Sequence, residues 1–500
     1  MFGFGKKSKE KRQEEPAGKS DTSLGNEYYS ENSVPSSIPL CEKVAMSLFG
    51  VSTDIVIQAF DTQEAKAMIV YVDGLINKDL LDRDIISPLK AKDFNGNMHL
   101  AIKTHYKEVF EMPVVVDEVL QGQTALFYEG SRKVYIIDIK QWDKRSVATP
   151  DSETTIRGPM EGFTESLRTN TALLRRKLRT PKLTIENTII GRQGNTPIGV
   201  AYIEGIVNRD VLKELKSRLS AIDTDAVFSS GSIENYLCKN KFSPVSGIGS
   251  TQKPDVAAAR ILEGRVAVFC DGTPHVLTIP ELFIENLHIS DDYYGGSLNA
   301  SLLRLIRLIG LFITTILPGL FVAIITYSHE MMPETFLKTL IVATQKMPLP
   351  AGAEVFLLIL LFELLKEAGI RMPKAVGSAI TIVGALIIGD AAVKAGIVSA
   401  PSVIVVALTA VAGFIVPTLS EFVLLYRVLF LFLGGSMGLV GIGTGVVIML
   451  IQLASTETFG IPILASFSKY ELKDSILRSS LQSMKYRPAA IAKDNVRRRK

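Results

Sequence analysis

The chain has 500 residues, more than one hydrophobic core usually serves, so two or three domains are expected. Its net charge of +4, with 21% charged residues, is too small to indicate nucleic-acid binding. Three cysteines, widely separated and odd in number, argue against a disulfide framework and favour reduced cytosolic thiols.

Residues 1–46 are rich in Lys, Glu, Ser, Gly and Pro, with little to bury, and predict a disordered basic tail. The tail lacks an apolar core and is therefore not a secretory signal peptide. Its cations could contact anionic lipid head groups, but the interspersed acids favour a solvated tail. The module that follows is expected to stay in the cytosol.

An internal repeat follows the tail. Met68–Leu80 and Gly199–Val211 each contain an apolar strand, an acid–Gly turn and an Asn-x-Asp sequence ahead of an amphipathic helix. A second matched pair, Ala125–Gly130 and Val266–Gly272, places acid–Gly between two strands, as in a β-hairpin. We interpret these acids as turn residues rather than metal ligands.

The repeat and the hydropathy define the predicted fold class, an α/β soluble module of two related subdomains plus an α-helical transmembrane bundle. The predicted domains are a disordered basic tail at 1–46, α/β subdomain 1 at 47–150, a linker helix at 151–184, α/β subdomain 2 at 185–298, a transmembrane helical domain at 299–457 and a basic cytosolic C-terminal tail at 458–500.

The linker between the two copies is predicted to form a helix, because Leu167, Leu174 and Leu178 recur at helical intervals. Its cations form a basic face that could pair with acidic groups of a neighbouring subunit. The candidates for such subunit contacts are Arg168, Arg175 and Arg176. A solvated face is an equally good interpretation.

Long apolar stretches appear after residue 299. A bilayer core about 30 Å thick needs roughly 20 mostly apolar residues per helix. The stretches that qualify, the middle two only weakly, are Leu302–Tyr327, Val376–Val398, Pro401–Pro417 and Phe422–Leu453. These four are the favoured spans.

A fifth apolar stretch, Val355–Leu365, is about half the necessary length and predicts a short non-spanning helix near 354–368. Helical spacing puts Glu363, Lys366 and Glu367 on one face. Charge at membrane depth usually faces a water-filled cavity, so we slightly favour a water-lined face over charges paired with one another at the membrane surface.

Charge also predicts the orientation. The strongly basic C-terminal tail should remain cytosolic, like the N-terminal module, so the number of spans should be even. Four spans fit if the helix near 354–368 does not cross. The cluster Lys366, Arg371 and Lys374 argues for a crossing, which leaves four and six open.

No catalytic motif has the context that it requires. Gly434–Gly438 matches a nucleophile elbow by letter and Gly441–Gly445 a dinucleotide loop, but neither follows a strand. Packing of small residues between membrane helices is the better account of both. The five histidines show no metal-ligand spacing. We expect no enzymatic activity, metal or cofactor.

Several motifs occur in a fixed order along the chain. They are Leu48-Phe49-Gly50-x-Ser52-x-Asp54, Gly158-Pro159-x-Glu161-Gly162-Phe163 with Arg168-x-Asn170-x-x-Leu173-x-Arg175-Arg176, Glu263-Gly264-Arg265-Val266-Ala267-x-x-x-Asp271-Gly272-Thr273-Pro274, Asp292-Tyr293-Tyr294, His329-Glu330-Met331-Met332-Pro333, Phe362-Glu363-Leu364-Leu365-Lys366-Glu367-Ala368-Gly369-Ile370-Arg371-x-Pro373 and Ile382-Val383-Gly384-Ala385-Leu386-Ile387-Ile388-Gly389-x-Ala391-Ala392-Val393-x-Ala395-Gly396-Ile397-Val398-Ser399. Through them the stretch from about Leu48 to Arg487 resembles the A subunit of the GerA family of spore germination receptors.

The resemblance implies a nutrient receptor in the spore inner membrane, assembled with a permease-like B subunit and a lipoprotein C subunit. In that family small germinants trigger ion release. The nutrient site is usually placed in the B subunit, and the A subunit is thought to oligomerise around an ion path.

Two elements depart from the family's pattern. The family's Pro-Phe-Pro element is here Met347-Pro348-Leu349-Pro350. Its Thr-Glu-Arg-Pro-Asp element is Thr251-Gln252-Lys253-Pro254-Asp255, which puts in doubt an ion pair expected there.

The sequence therefore predicts a non-enzymatic receptor and channel subunit that self-associates in the membrane lipid. The residues proposed for its ion path are Glu354, Glu363, Lys366 and Glu367, with Pro348 and Pro350 setting the entry angle of their helix. Two alternatives remain: a secondary transporter, which also uses broken helices and intramembrane charge, and a membrane-anchored scaffold for a receptor complex.

Overall fold

The computed structural model describes residues 28–29, 33–92, 94, 96–141, 150, 153, 155–239, 243–344, 347–372, 389–465, 474–480, 482–493 and 495–498. Most of the predicted tail, and most of the predicted span Val376–Val398, lie outside the described residues. The chain forms two compact units, Met1–Lys144 with Thr171–Asn187 and Arg145–Asn170 with Thr188–Lys500.

The first unit opens with helix α1, Ile38–Phe49, which begins inside the segment assigned to the tail. Its buried residues Ile38, Cys41 and Val44 recur every three residues and pack into the core of the first sheet. The packed structure of this unit therefore starts several residues before position 47.

Five antiparallel strands of the first unit form a sheet in the order β1-β2-β4-β5-β3. The strands are β1 Ile55–Asp61, β2 Lys66–Val72, β3 Tyr106–Val109, β4 Thr124–Tyr128 and β5 Val134–Ile137, and the helices are α2 Lys78–Leu81, α3 Ser87–Lys90, α4 Met98–Ala101 and α5 Met112–Leu120, with a π-helical turn Asp82–Ile86 between α2 and α3. Successive residues of β2 point into different cores: Met68 and Val70 pack towards α1 and α5, while Ile69 packs towards α2 and α3.

The second sheet has the strand order β6-β7-β9-β10-β8, the same order as the first sheet when each strand is matched to its counterpart. Its elements are helix α6 Leu167–Lys177, β6 Leu183–Ile190, β7 Thr196–Ile203, α7 Arg209–Ser220, α8 Ser230–Leu237, β8 Gly249–Thr251, α9 Pro254–Leu262, β9 Val266–Cys270 and β10 Val276–Ile279. Helix α6 and strand β6 cross the division between the two units. The repeat found in the sequence is thus two copies of one α/β topology.

The turn chemistry of the repeat also agrees with the sequence. Gly74 and Gly205 have φ of 85° and 82°, a region that favours glycine. Asn77 and Asn208 accept hydrogen bonds from the backbone at the starts of α2 and α7. Asp73 accepts a bond from the Gly74 amide at 3.0 Å, as a turn residue does.

Helices dominate the rest of the second unit. They are α10 Asp291–Tyr294, α11 Ser297–Tyr327, α12 Glu334–Thr344, α13 Ala351–Arg371, α14 Ala400–Gly413 and α15 Ser420–Ser455, followed by the short strands β11 Glu457–Thr458 and β12 Ile461–Pro462. Within the part of the chain that the structure describes, two stretches, Ser297–Tyr327 and Pro417–Ser455, are long and apolar enough to cross a membrane.

Helix α15 is a hairpin of two helical arms. Gly438 has φ 61° and ψ −139°, which interrupts the helix. The Tyr426 hydroxyl donates to Gln452, 26 residues further on, whereas a straight helix would separate the two by about 39 Å. The arms 420–437 and 439–455 are therefore antiparallel. The single span expected over Phe422–Leu453 is wrong, because hydropathy does not reveal a turn at one glycine.

Helix α13 is longer than expected. Ala351–Arg371 is one helix of 21 residues, about 31 Å long, rather than the short helix predicted near 354–368. Glu354 and Lys366 bound the apolar stretch in the sequence, and Glu363 lies inside it. In the structure Glu354 and Glu363 have partners on neighbouring helices, so these charges do not end the helix.

The C-terminal segment folds back onto the second sheet. Ile491 is fully buried in the core of this sheet, and the Asn495 amide donates to the Gly205 carbonyl at 3.0 Å. Lys493 pairs with Asp210 at 3.0 Å. Residues 482–493 and 495–498 therefore belong to α/β subdomain 2, although the sequence predicted a tail.

Candidate functional site

The residues of the predicted ion path all belong to α13, one helix of a bundle that also contains α11, α14 and both arms of α15. Glu363 of α13 accepts a hydrogen bond from Arg427 of α15 at 3.0 Å. The Arg427 guanidinium also donates to the carbonyl and the hydroxyl of Thr314 on α11, at 2.9 and 2.8 Å. Arg427 lies inside the apolar stretch Phe422–Leu453. Its partners could not be found, because they lie 64 and 113 residues away.

Glu354, another ion-path candidate, has a structural role here. It is buried, and its carboxylate accepts a hydrogen bond from the backbone amide of Ser399, the N-cap of α14. A carboxylate at a helix N-terminus is stabilised by the helix dipole and by the free amide groups. Glu354 thus joins α13 to the start of α14.

The remaining ion-path candidates lie further along α13. Lys366 is 3.5 Å from Glu363. Glu367 is exposed and pairs with Arg371 one helical turn on. Pro350 is the N-cap of α13, with φ −65°, so its ring stands where the helix begins. Pro348 lies two residues before it, outside the helix.

A second charged cluster joins α11 to subdomain 2. Asp292 of α10 is 2% exposed and accepts hydrogen bonds from Arg307 at 2.7 and 2.9 Å and from Arg304 at 3.1 Å. Burial opposes ionisation of Asp292, but the hydrogen bonds and charges of these arginines hold its pKa below the usual value. Both arginines of α11 are thereby fixed to one carboxylate.

The C-terminal segment completes this cluster. Arg304 also donates to Asp474, and the Tyr293 ring lies between the guanidinium groups of Arg304 and Arg478, at 5.4 and 5.5 Å. Burial outweighs the attraction of Arg304 and raises the pKa of Asp474 to about 6. The residues before α11 and the segment after α15 are therefore both bound to the base of α11.

The linker ahead of α6 reaches the same place. Asp291 accepts hydrogen bonds from the backbone amides of Ile156 and Arg157, at 3.1 and 3.3 Å. The neighbouring Asp292 holds α11. The short helix α10 therefore connects the linker, α11 and the C-terminal segment through two adjacent carboxylates.

A cavity of about 1190 Å³ lies between the second sheet and the base of the helices. Its acidic lining residues are Glu153, Glu234, Glu281, Glu285 and Glu421. Burial, opposed by a bond from Ser246 and reinforced by the charges of Glu281 and Glu421, raises the pKa of Glu234. These residues are spread over more than half of the chain, so no local sequence pattern indicates the cavity. Among the described residues no group of three His, Cys, Asp or Glu side chains could hold a metal ion.

One of the predicted subunit contacts is wrong. Arg175 is fully buried in the first unit, where it donates to both carboxylate oxygens of Asp54, at 2.7 and 2.8 Å, and to Ser52 at 3.1 Å. It is therefore not available to another subunit. Arg168 is exposed and Arg176 half-buried, and their role as contacts stays a prediction.

The element in doubt, Thr251–Asp255, keeps an ion pair in spite of its substitutions. Lys253 is fully buried and lies 3.6 Å from Asp255. Its ammonium also donates to Ser290 at 3.2 Å, which ties the start of α9 to the segment before α10.

Two α/β copies joined to long apolar helices define this protein as a membrane-associated protein with a paired α/β module. Residues 43–490 match the family described as "Bacillus/Clostridium GerA spore germination protein". The chain belongs to this GerA family of spore germination proteins.

Individual relatives agree with this assignment. The chain is 36% identical over 463 residues to "Uncharacterized membrane protein YfkQ" of Bacillus subtilis (strain 168), with 89% of each protein covered. It is 35% identical to "Spore germination protein KA" of the same organism, covering 89% of this chain and 85% of that protein. Among solved structures, the N-terminal domain of the A subunit of the Bacillus megaterium spore germinant receptor GerK3 matches at 29% identity and a TM-score of 0.40, covering 50% of this chain and 97% of that one.

Proposed function

We propose that this protein is the A subunit of a nutrient germinant receptor of the spore inner membrane, non-enzymatic and oligomeric, that forms or gates an ion path. Its partners would be a permease-like B subunit and a lipoprotein C subunit. The observation that carries the proposal is Glu363, an ionisable residue inside an apolar helix bundle, where charge is costly and usually functional. Relatives named as spore germination proteins supply the context.

Contacts along α11 support a topology for the bundle. From its base outward, Gly310 lies next to Ala412 near the end of α14, Thr314 bonds Thr409 of α14, and Gly319 touches Phe430 of α15. At the far end, Tyr327 donates to Gly435 and Ser436, beside the hairpin turn. The first arm of α15 is therefore parallel to α11, whereas α14 and the second arm are antiparallel.

Helix α13 is also antiparallel to α11. Val355 near its start packs with Val322, close to the far end of α11, and Glu363 reaches the level of Thr314 through Arg427. Ser399 lies beside Glu354, again at the far end.

The described helices α11, α13, α14 and the two arms of α15 make five passages through the bundle, more than the four spans favoured from the sequence. Both ends of the series meet subdomain 2, since α11 follows α10 directly and Phe459, just after α15, is buried in the second core. An even number of crossings puts the α/β module and the C-terminal segment on one side. The basic C-terminus makes that side the cytosol.

Cysteine labelling tests this topology. In a chain whose three native cysteines are replaced, Met437→Cys lies beside the hairpin turn, where the native side chain is 52% exposed, and Lys493→Cys lies in the C-terminal segment. A membrane-impermeant maleimide added to intact cells should label position 437 directly and position 493 only after permeabilisation. Labelling of both positions from the same side would exclude the hairpin crossing.

The ion path is tested by Glu363→Gln in spores that carry this receptor as their only one. Ion release on nutrient addition should change while the amount of protein in the membrane stays constant. Glu334→Gln, the same change at an exposed glutamate of α12 outside the proposed ion path, is the control. Unchanged release in Glu363→Gln would contradict the proposal and favour a membrane-anchored scaffold.

A further inference from the structure

Arg427 is a guanidinium buried in an apolar helix arm, with a single carboxylate partner. It is 4% exposed, and its described side-chain contacts are the bonds to Thr314 and to Glu363. Two of its nitrogens thus anchor it to α11, while the third reaches α13. The fork geometry of arginine makes such a three-helix contact specific.

Thr314 fixes the position of that guanidinium. It is fully buried, accepts from Arg427 through both its carbonyl and its hydroxyl, and donates its hydroxyl to the Thr409 carbonyl of α14 at 3.1 Å. Arg427 is therefore held on α11 by a residue that is itself bonded to α14, whereas its partner Glu363 has a side chain that is 24% exposed.

The charges around Glu363 do not favour a cation. Its one carboxylate lies 3.0 Å from Arg427 and 3.5 Å from Lys366, so two positive charges face one negative charge. In a low-dielectric bundle such charges interact strongly, and a further cation at this level would be repelled. In this arrangement the proposed ion path is closed to cations at Glu363.

We propose that Arg427 is a positioning residue that locks Glu363, and that opening of the path to cations requires this ion pair to separate. The proposal rests on the ion path proposed above. When α13 moves away from α15, Arg427 stays on Thr314, and the Glu363 carboxylate becomes free to attract a passing cation. Thr314 would thus set the strength of the lock without touching Glu363.

The test measures cation release without nutrient from spores carrying the complete receptor as their only one. Arg427→Gln should raise this basal release roughly tenfold or more, because a charge-assisted hydrogen bond of the closed state is lost. Arg371→Gln removes an exposed cation from α13, the helix that carries Glu363. It is the matched control and should leave basal release unchanged. If Arg427→Gln does not reach the membrane, Thr314→Val takes its place and should raise release in the same direction, by a smaller factor.

The double variant separates a lock from a general packing role. In a Glu363→Gln background, the further change Arg427→Gln should have no effect on basal release, because the lock then has no carboxylate to hold. Effects of the two changes that multiply independently would overturn the lock while leaving the ion path intact. Ion release unaltered by any of these changes would overturn the ion path itself, and the lock with it.

Discussion

Arg175 and Asp54 form a fully buried ion pair within the first unit, and each belongs to a different motif of the sequence. The guanidinium donates to Asp54, to Ser52 and to the Leu183 carbonyl. Every polar group of the pair is thus satisfied, which is the condition under which a buried charge is tolerated. The two motifs, whose residues Asp54 and Arg175 are 121 positions apart in the sequence, meet in this one contact.

Replacing Arg175 with Ala should lower the free energy of unfolding by about 3–5 kcal/mol, because Asp54 is left charged and buried. Thermal unfolding of the detergent-solubilised chain measures the loss. Arg168→Ala on the same helix changes an exposed arginine and should shift stability by less than about 0.5 kcal/mol. Equal effects of the two changes would mean that the buried pair does not carry this stability.

The burial of Arg175 could not be predicted from the sequence around it. The helix and its basic composition were predictable from the spacing of Leu167, Leu174 and Leu178. The position of Arg175 one helical turn from Leu178 is not enough to separate a buried arginine from its solvated neighbours. Only the partner Asp54, far away in sequence, decides that.

His288 provides a pH-dependent term. Burial, followed by the charge of Arg304, lowers the pKa of His288 to about 4, and its ring nitrogen donates to the Ser475 carbonyl at 2.7 Å. The unfolded imidazole takes up a proton near pH 6.5, whereas the folded one does not until about pH 4. Stability contributed by the neutral ring is therefore present above pH 6.5 and is lost as the pH falls towards 4, by at most about 1.4 kcal/mol per pH unit.

The measurement compares unfolding midpoints of the native chain and of His288→Gln between pH 7 and pH 5. The variant should lose less stability than the native chain over this range. Parallel curves for the two proteins would mean that His288 titrates in the folded state as it does in the unfolded one.

At the scale of elements, local signals sufficed for the α/β repeat and for α11, but did not predict the length of α13 or the bend of α15. Strand, acid–Gly turn and Asn cap lie within thirteen residues of one another in each copy, so the repeat was visible in the sequence. The length of α13 and the bend of α15 depend on groups elsewhere in the bundle, Arg427 for Glu363 and Tyr327 for Gly438. A hydropathy value is an average over a window of neighbouring residues, so it carries no information about either of these two contacts.

Because α11 and α15 pack closely, we expect alanine to have different effects on stability at two adjacent glycines. A Cβ on Gly434 would lie 2.4 Å from the Gly319 carbonyl oxygen, whereas on Gly435 its nearest neighbour, Val322, is at 3.7 Å. Gly434→Ala should therefore destabilise the bundle by about 1–3 kcal/mol through overpacking. Gly435→Ala should be neutral or slightly stabilising, since Ala favours a helix over Gly. Thermal unfolding of both variants checks the difference, and equal midpoints would disprove the close approach of the two backbones.

At the scale of the whole molecule, the C-terminal segment closes the second unit. The sequence predicted a basic cytosolic tail at 458–500, since the buried apolar residues near its end, Ile491 and Ala492, are too few to give a periodic signal. The segment nevertheless carries Asp474 and Arg478 to the base of α11 and Arg498 to Glu263 after helix α9. A short apolar anchor at its end is enough to hold these polar contacts in place.

Removal of that anchor should free the segment. Ile491→Ala deletes a fully buried side chain from the second core and should cost about 2–5 kcal/mol. Leu477→Ala removes a similar side chain that is 63% exposed, earlier in the same segment, and should cost little. Limited trypsin digestion of the detergent-solubilised full chain then distinguishes the two, because Arg478, which is 5% exposed, becomes accessible to the protease when the segment detaches. Ile491→Ala should be cut there faster than the native chain and Leu477→Ala at the native rate. Equal cleavage of all three proteins would show that the segment is held by its ion pairs alone.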